Sequence, residues 1–456
     1  MKKYFFFALA AAGLLSSCSS DDTVAGTEVE NDELVPIQIG FGGGSVSVDE
    51  TRGTGTVGGY QGTEQNKWHS QKFNVYMLKK GTLELAQFEG ADIYKNQLFI
   101  APGPAADTVV GGKTPFAGLD ETQVYPMVSG YARPEDAQIK YYPAQDNFDF
   151  FAYHLDDAAT ADPDTTTVPG SWTVPFVING SQDVMVAKAI PTTAEINTLK
   201  SIKGNAANAD RYYSSFSARH GVQPNLNFKH LLTRLTFQVM PKGNSTDAIS
   251  HIVIDSIKVV AKKTKGTLTI AKVGDNNGDS QTITWDETTA PIELALMERD
   301  STLLKNNTVE NVDSLPLVAL GTWNKKYEED VLGLSEGVKG INFNRLEVDQ
   351  AYPVGDAILL APEIEYELIV VGHQEILNEY GSAAIRTNKF VYRDIIHKSE
   401  VFASGTSYMI TIALWGVNDV KLNVTLSGWN NSWYNRPDTP NLIFEPEETE
   451  INGFAD

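Results

Sequence analysis

The chain has 456 residues, with 58 acidic against 36 basic side chains and a formal net charge of −22. That balance excludes a protein that binds nucleic acid by neutralising its phosphates, which would be basic. A single cysteine excludes any disulfide within the chain, and no stretch of 18 consecutive apolar residues is present to cross a bilayer as a helix.

Lys2 and Lys3 open a basic n-region, and residues 4–15 follow as an apolar run too short to span a membrane. This is the pattern of a secretory signal peptide over residues 1–17. The one cysteine, Cys18, ends the sequence Leu15-Ser16-Ser17-Cys18, which resembles the bacterial lipobox, where the cysteine is lipidated and becomes the first mature residue. Acyl chains there would hold the protein to a membrane at about 0.8 kcal/mol per buried CH₂ group. Residues 19–33 are polar and acidic and read as a flexible tether.

Residues 34–41, LVPIQIGF, place Val35, Ile37, Ile39 and Phe41 on one face and Leu34, Pro36, Gln38 and Gly40 on the other. Period two with β-branched residues predicts a strand, and Pro36 predicts a sheet edge. A glycine-rich stretch, residues 42–59, follows and contains Glu50-Thr51-Arg52-Gly53 in a setting where proteolysis concentrates.

The rest reads as all-β. Strands are predicted at 72–80, 148–155, 183–189, 232–240, 251–263, 267–273, 357–372, 389–396, 407–415 and 420–429. Residues 274–281, GDNNGDSQ, form a hairpin-type turn between 267–273 and the short run QTITW that follows, and one helix is expected near 193–203. Many strands separated by turn signals point to β-sandwiches.

Several motifs invite chemistry and do not hold it. Gly53, Gly55 and Gly58 match a dinucleotide fingerprint, but no βαβ unit surrounds them. Residues 333–337, GLSEG, match a nucleophile elbow without its strand-to-helix turn. Asp275, Asn277 and Asp279 alternate like the start of a calcium loop, yet Ser280 stands where that loop needs glycine. The seven histidines show no zinc spacing, and His230, beside an apolar run, reads as a half-buried strand-entry residue. No catalytic residues, metal ligands or cofactors are assigned.

Residues 227–239 (NFKHLLTRLTFQV), 141–154 (YYPAQDNFDFFAYH) and 420–433 (VKLNVTLSGWNNSW), in that company with the lipobox and Arg52, resemble the Bacteroidales fimbrillin family, the type V pilins. The resemblance implies two tandem transthyretin-like β-sandwich domains, at 53–280 and 281–433, behind a lipidated propeptide at 18–52. It implies an outer-membrane lipoprotein precursor, cut between Arg52 and Gly53 by an arginine-specific protease. It further implies that the strand 34–41 is then lost and its groove filled by a strand of another subunit. That donor should lie in the tail 434–456, where Leu442 and Phe444 alternate before Pro446 and several glutamates interrupt. Residues 1–52 hold three basic and eight acidic residues, so the segment 53–456 left after both processing steps has a formal charge of −17 against −22 for the whole chain.

The expected protein is therefore a non-enzymatic subunit of a cell-surface fimbrium that supports adhesion. Its expected partners are copies of itself, other fimbrial subunits, the protease and a host or bacterial surface ligand. Two alternatives stay open at this point: a tip or accessory adhesin, and a lipid-retained surface protein that binds glycan.

Overall fold

The computed structural model describes residues 34–41, 72–100, 131–134, 140–155, 163–243, 250–299, 317–319, 341–343, 346–378, 384–397, 401–416 and 419–427. The described residues from Val35 onward form one compact unit. Its described residues are mostly strands, with two short α-helices, so the all-β reading holds.

Two sheet layers occupy the N-terminal half. A large sheet of eight strands runs Asn225–Leu226, Ile39–Phe41, Tyr131–Pro134, Gln97–Ile100, Lys72–Lys79, Phe148–His154, Met185–Lys188, Lys229–His230 in spatial order. A three-stranded sheet, Ile283–Trp285, Lys265–Lys272 and Ser171–Val177, covers one of its faces. The central strands of the large sheet are apolar on both faces because both are covered. Phe73, Val75 and Met77 point into one core; Tyr76 and Leu78, between and beyond them, point into the other. Every residue of Phe148–His154 is buried for the same reason, and its sequence FDFFAYH is a near-continuous apolar run rather than an alternation.

The face away from the small sheet is closed by a helical insert. Thr192 accepts a hydrogen bond from the Glu195 amide at 3.2 Å, and Glu195 accepts from the Thr192 amide at 2.7 Å. This capping box starts the helix Thr193–Ser201, which sends Leu199 into the core. Ser214 and Ser217 cap the short helix Ser215–Arg219 in the same reciprocal way, and Phe216 follows Leu199 inward.

A second pair of sheets shares a third core. One holds Tyr352–Leu360, Thr233–Pro241, Ser407–Gly416 and Asp419–Ser427; the other holds Ile292–Ala295, Ser250–Ala261, Glu365–Leu377 and Ala384–His397. Leu235, Phe237 and Val239 from the first sheet meet Ile252, Ile254 and Ile257 from the second. The chain therefore enters this sheet pair at Thr233, returns to the three-stranded sheet at Lys265–Trp285, and leaves it again at Ile292.

One prediction needs correction. The run 357–372 is two strands, Tyr352–Leu360 and Glu365–Leu377, lying in opposite sheets. Pro362 has no N–H to offer a ladder and restricts Ala361 before it, so the backbone turns there although the sequence stays apolar. The Tyr366 hydroxyl donates to the Ala361 carbonyl at 2.8 Å and ties the corner. The hairpin predicted at 274–281 does join Lys265–Lys272 to Ile283–Trp285.

Candidate functional site: the docked first strand

Among the described residues no helix is long and apolar enough to cross a membrane, and no group of three His, Cys, Asp or Glu is placed to hold a metal. The feature with functional geometry is the segment Val35–Phe41. Val35, Ile37 and Ile39 are 9, 8 and 1 % exposed and lie in the core that also holds Phe73, Phe99 and Phe150. The alternate residue Pro36 is exposed, and Gln38 is half-buried. Three such side chains contribute roughly 1.5–3 kcal/mol each by leaving water.

The backbone is held on both sides. On one, the Ile37 amide donates to the Lys140 carbonyl and the Tyr142 amide to the Val35 carbonyl, each at 2.9 Å. Further along, Ile39 and Gly40 pair antiparallel with Ala132 and Tyr131. On the other side Gly40 and Phe41 pair parallel with Asn225 and Leu226, and the Gly40 amide donates to the Pro224 carbonyl at 2.9 Å.

The segment is a sheet edge at Pro36, as the proline suggested, but not further along, where Asn225–Leu226 pairs outside Gly40 and Phe41. The inner side tolerates the proline as well. Pro36 faces Tyr141 in a bridge whose two bonds come from the residues before and after the proline, so that partner needs no N–H from it.

Over Pro36–Gln38 the outer side has a side-chain partner instead of a strand. Gln223 Oε1 accepts from the Gln38 amide at 3.3 Å, and Gln223 Nε2 donates to the Pro36 carbonyl at 3.1 Å. The Tyr142 hydroxyl donates to the same Oε1 at 3.2 Å. Burial, with the nearby Tyr94 and Tyr213 hydroxyls, pushes Tyr142 well above the usual tyrosine range, so it remains a donor at neutral pH. Sequence reasoning missed Gln223, because a two-residue strand after Pro224 carries no periodic signal.

The other predicted residues fall as follows. Cys18, Arg52, Gly53, Leu442 and Phe444, the glycines at 55 and 58 and the motif at 333–337 lie outside the described residues. Asp275 does not hold an open cation site. Its carboxylate accepts from the amides of Asn277, Gly278, Asp279 and Ser280 and from the Ser280 hydroxyl. The Lys188 ammonium donates to the Asp275 carbonyl at 2.6 Å. His230 is buried rather than half-buried, with Nδ1 2.6 Å from Asp183, itself fully buried.

Layered, mostly antiparallel sheets, with one core completed by the strand Val35–Phe41, define an all-β architecture. The chain matches the fimbrillin-like family model over residues 62–429 and belongs to that family. Among solved structures, it is similar to a fimbrial protein from Bacteroides vulgatus, with 11 % identity, 87 % of this chain and 99 % of that chain covered, and a TM-score of 0.44. It is also similar to the fimbrial anchor protein Mfa2 from Porphyromonas gingivalis, with 9 % identity, 86 % and 97 % covered, and a TM-score of 0.30. No curated protein matches it.

Proposed function

We propose that this chain is a structural, polymerising subunit of a cell-surface fimbrium, exported as an outer-membrane lipoprotein acylated at Cys18. Cleavage by an arginine-specific protease between Arg52 and Gly53 frees the first strand, and an extended segment of another subunit takes its place. The tail with Leu442 and Phe444 is the candidate donor, and two tandem transthyretin-like sandwiches are the units so strung together. Membership of the fimbrillin-like family supports the fimbrial role.

One observation carries the strand-exchange part. Val35, Ile37 and Ile39 complete a core built by residues 73–226, so removing them opens an apolar groove flanked by backbone groups of Lys140, Tyr142 and Pro224. A groove of that kind selects an extended peptide with apolar residues at alternate positions.

The test is limited digestion of the purified full chain with an arginine-specific protease. Gly53 should become the new N-terminus, and oligomers resistant to sodium dodecyl sulfate should build up over hours. Arg52→Ala should block both. If Arg52→Ala polymerises as fast as wild type under the same protease, cleavage at that bond is not the switch. Processing at Gly53 without oligomers would instead favour a tip or accessory adhesin.

A further inference from the structure

We infer that Gln223 is a backbone latch that sets how long the first strand stays in its groove, and that it grips the shape of a strand rather than its side chains. The inference rests on the strand-exchange reading above only for its consequence in assembly; the latch itself is a property of the intact chain.

The residues of a β-strand turn their N–H and C=O alternately to left and right. Val35 and Ile37 turn theirs toward Lys140 and Tyr142. Pro36, Gln38 and Gly40 therefore turn theirs to the opposite side. There Gly40 meets the Pro224 carbonyl. Beyond the Gln38 carbonyl, the Gln38 N–H and the Pro36 C=O have no strand paired beside them. The Gln223 carboxamide supplies an acceptor to one and a donor to the other, at 3.3 and 3.1 Å, as the C=O and N–H of one residue in a neighbouring parallel strand would. A primary amide carries both functions in one plane, on neighbouring atoms.

The Gln38 N–H can only donate and the Pro36 C=O only accept, so Oε1 faces the one and Nε2 the other. The Tyr142 hydroxyl, donating to Oε1, holds the amide in that orientation. Because Tyr142 also donates its own amide to Val35, one residue anchors both the inner ladder and the orientation of the latch.

Both strand groups that Gln223 touches are main-chain atoms, so the latch asks nothing of the side chains at 36 and 38. It does not ask for an N–H at position 36 either, which is why proline is accepted there. Any extended segment entering the groove in the same register would meet the same donor and acceptor. Gln223 thus retards departure of the first strand and would favour its replacement equally.

The experiment uses the full chain with three substitutions. Gln223→Met keeps the length and removes both functions; Gln223→Glu keeps the acceptor alone; Tyr142→Phe removes the orienting hydroxyl. Hydrogen–deuterium exchange of the segment 34–41 is followed in uncleaved protein, with exchange of the strand 148–154 as the folding control. Two lost hydrogen bonds should speed exchange of the segment about tenfold or more in Gln223→Met, with Gln223→Glu and Tyr142→Phe falling between it and wild type. Unchanged exchange in Gln223→Met, with the control intact, overturns the latch. If the control also accelerates, Gln223 supports the whole fold and the latch is equally rejected. Release of a fluorophore attached at Leu34→Cys, in a Cys18→Ser background, is then timed after cleavage. Faster release in Gln223→Met supports the assembly role. Altered exchange with no release from any variant leaves the latch standing and removes strand exchange.

Discussion

The Lys188 ammonium lies 3.1 Å from an Asp149 carboxylate oxygen, with the two side chains 2 and 8 % exposed. Asp149 also accepts from the Gly81 amide at 3.1 Å, and Lys188 reaches the Asp275 carbonyl. The pair thus stitches two strands of the large sheet to the turn that ends Lys265–Lys272. A charge stripped of its partner at such depth costs far more than the pair contributes. Lys188→Met should destabilise the chain by about 3–5 kcal/mol in denaturant unfolding, and adding Asp149→Asn should recover part of the loss. Full additivity of the two substitutions would mean that the ions do not depend on one another.

The Asp275 turn gives a pH dependence with a definite sign. Burial alone would raise this carboxyl, but the Ser280 hydroxyl, the Gly278 and Ser280 amides and then Lys188 outweigh it and hold it below the usual carboxylate value. A folded-state pKa below the unfolded one, about 3.9, adds stability that is complete above that value and lost as pH falls through the folded one. Between pH 6 and 4.5 the turn should therefore be indifferent to acid, and it should loosen below about pH 4. Asp275→Asn should flatten the acid limb of the thermal stability curve relative to wild type; parallel curves for the two proteins would exclude the turn as a contributor.

The proline in the first strand makes a position-specific prediction. Neither partner of Pro36 asks for its N–H, so Pro36→Ala should change stability by about 1 kcal/mol or less, the scale of a change in unfolded-chain entropy. Ile37 sits one residue on and donates to the Lys140 carbonyl. Ile37→Pro removes that bond and places a ring in the ladder, so it should release the segment 34–41 to rapid hydrogen exchange. Equal tolerance at both positions would place the strand in a different register.

How far the sequence discloses this architecture depends on what each residue is asked to do. Strands buried on one or two faces, such as Phe148–His154 and Thr233–Pro241, were legible because their side chains carry the signal. The first strand was legible for the same reason, through Val35, Ile37 and Ile39. Its neighbours Tyr131–Pro134 and Asn225–Leu226 were not, since four and two residues make no period. Ser171–Val177 went unseen because Pro175 interrupts it, and the break at Pro362 was hidden by the apolar residues on either side. Gln223 was invisible for a deeper reason: it acts by standing in for a backbone, and nothing in residue type or spacing marks a glutamine that does so.

Ile39 separates the precursor from the assembled state. It is 1 % exposed and packs in the core with Phe99 and Leu226, so truncation to alanine leaves a cavity that the surrounding sheet cannot fully close. Ile39→Ala should cost the uncleaved chain about 2–5 kcal/mol in thermal or denaturant unfolding. If the first strand leaves on assembly, residue 39 is absent from the polymer. The polymer formed after cleavage should then melt as the wild-type polymer does, although its precursor was weaker. Assembly should also run faster, because the strand that must depart is held less firmly. A polymer that inherits the precursor's loss of stability would show that the first strand is still in place, and cleavage would then act elsewhere than on this groove.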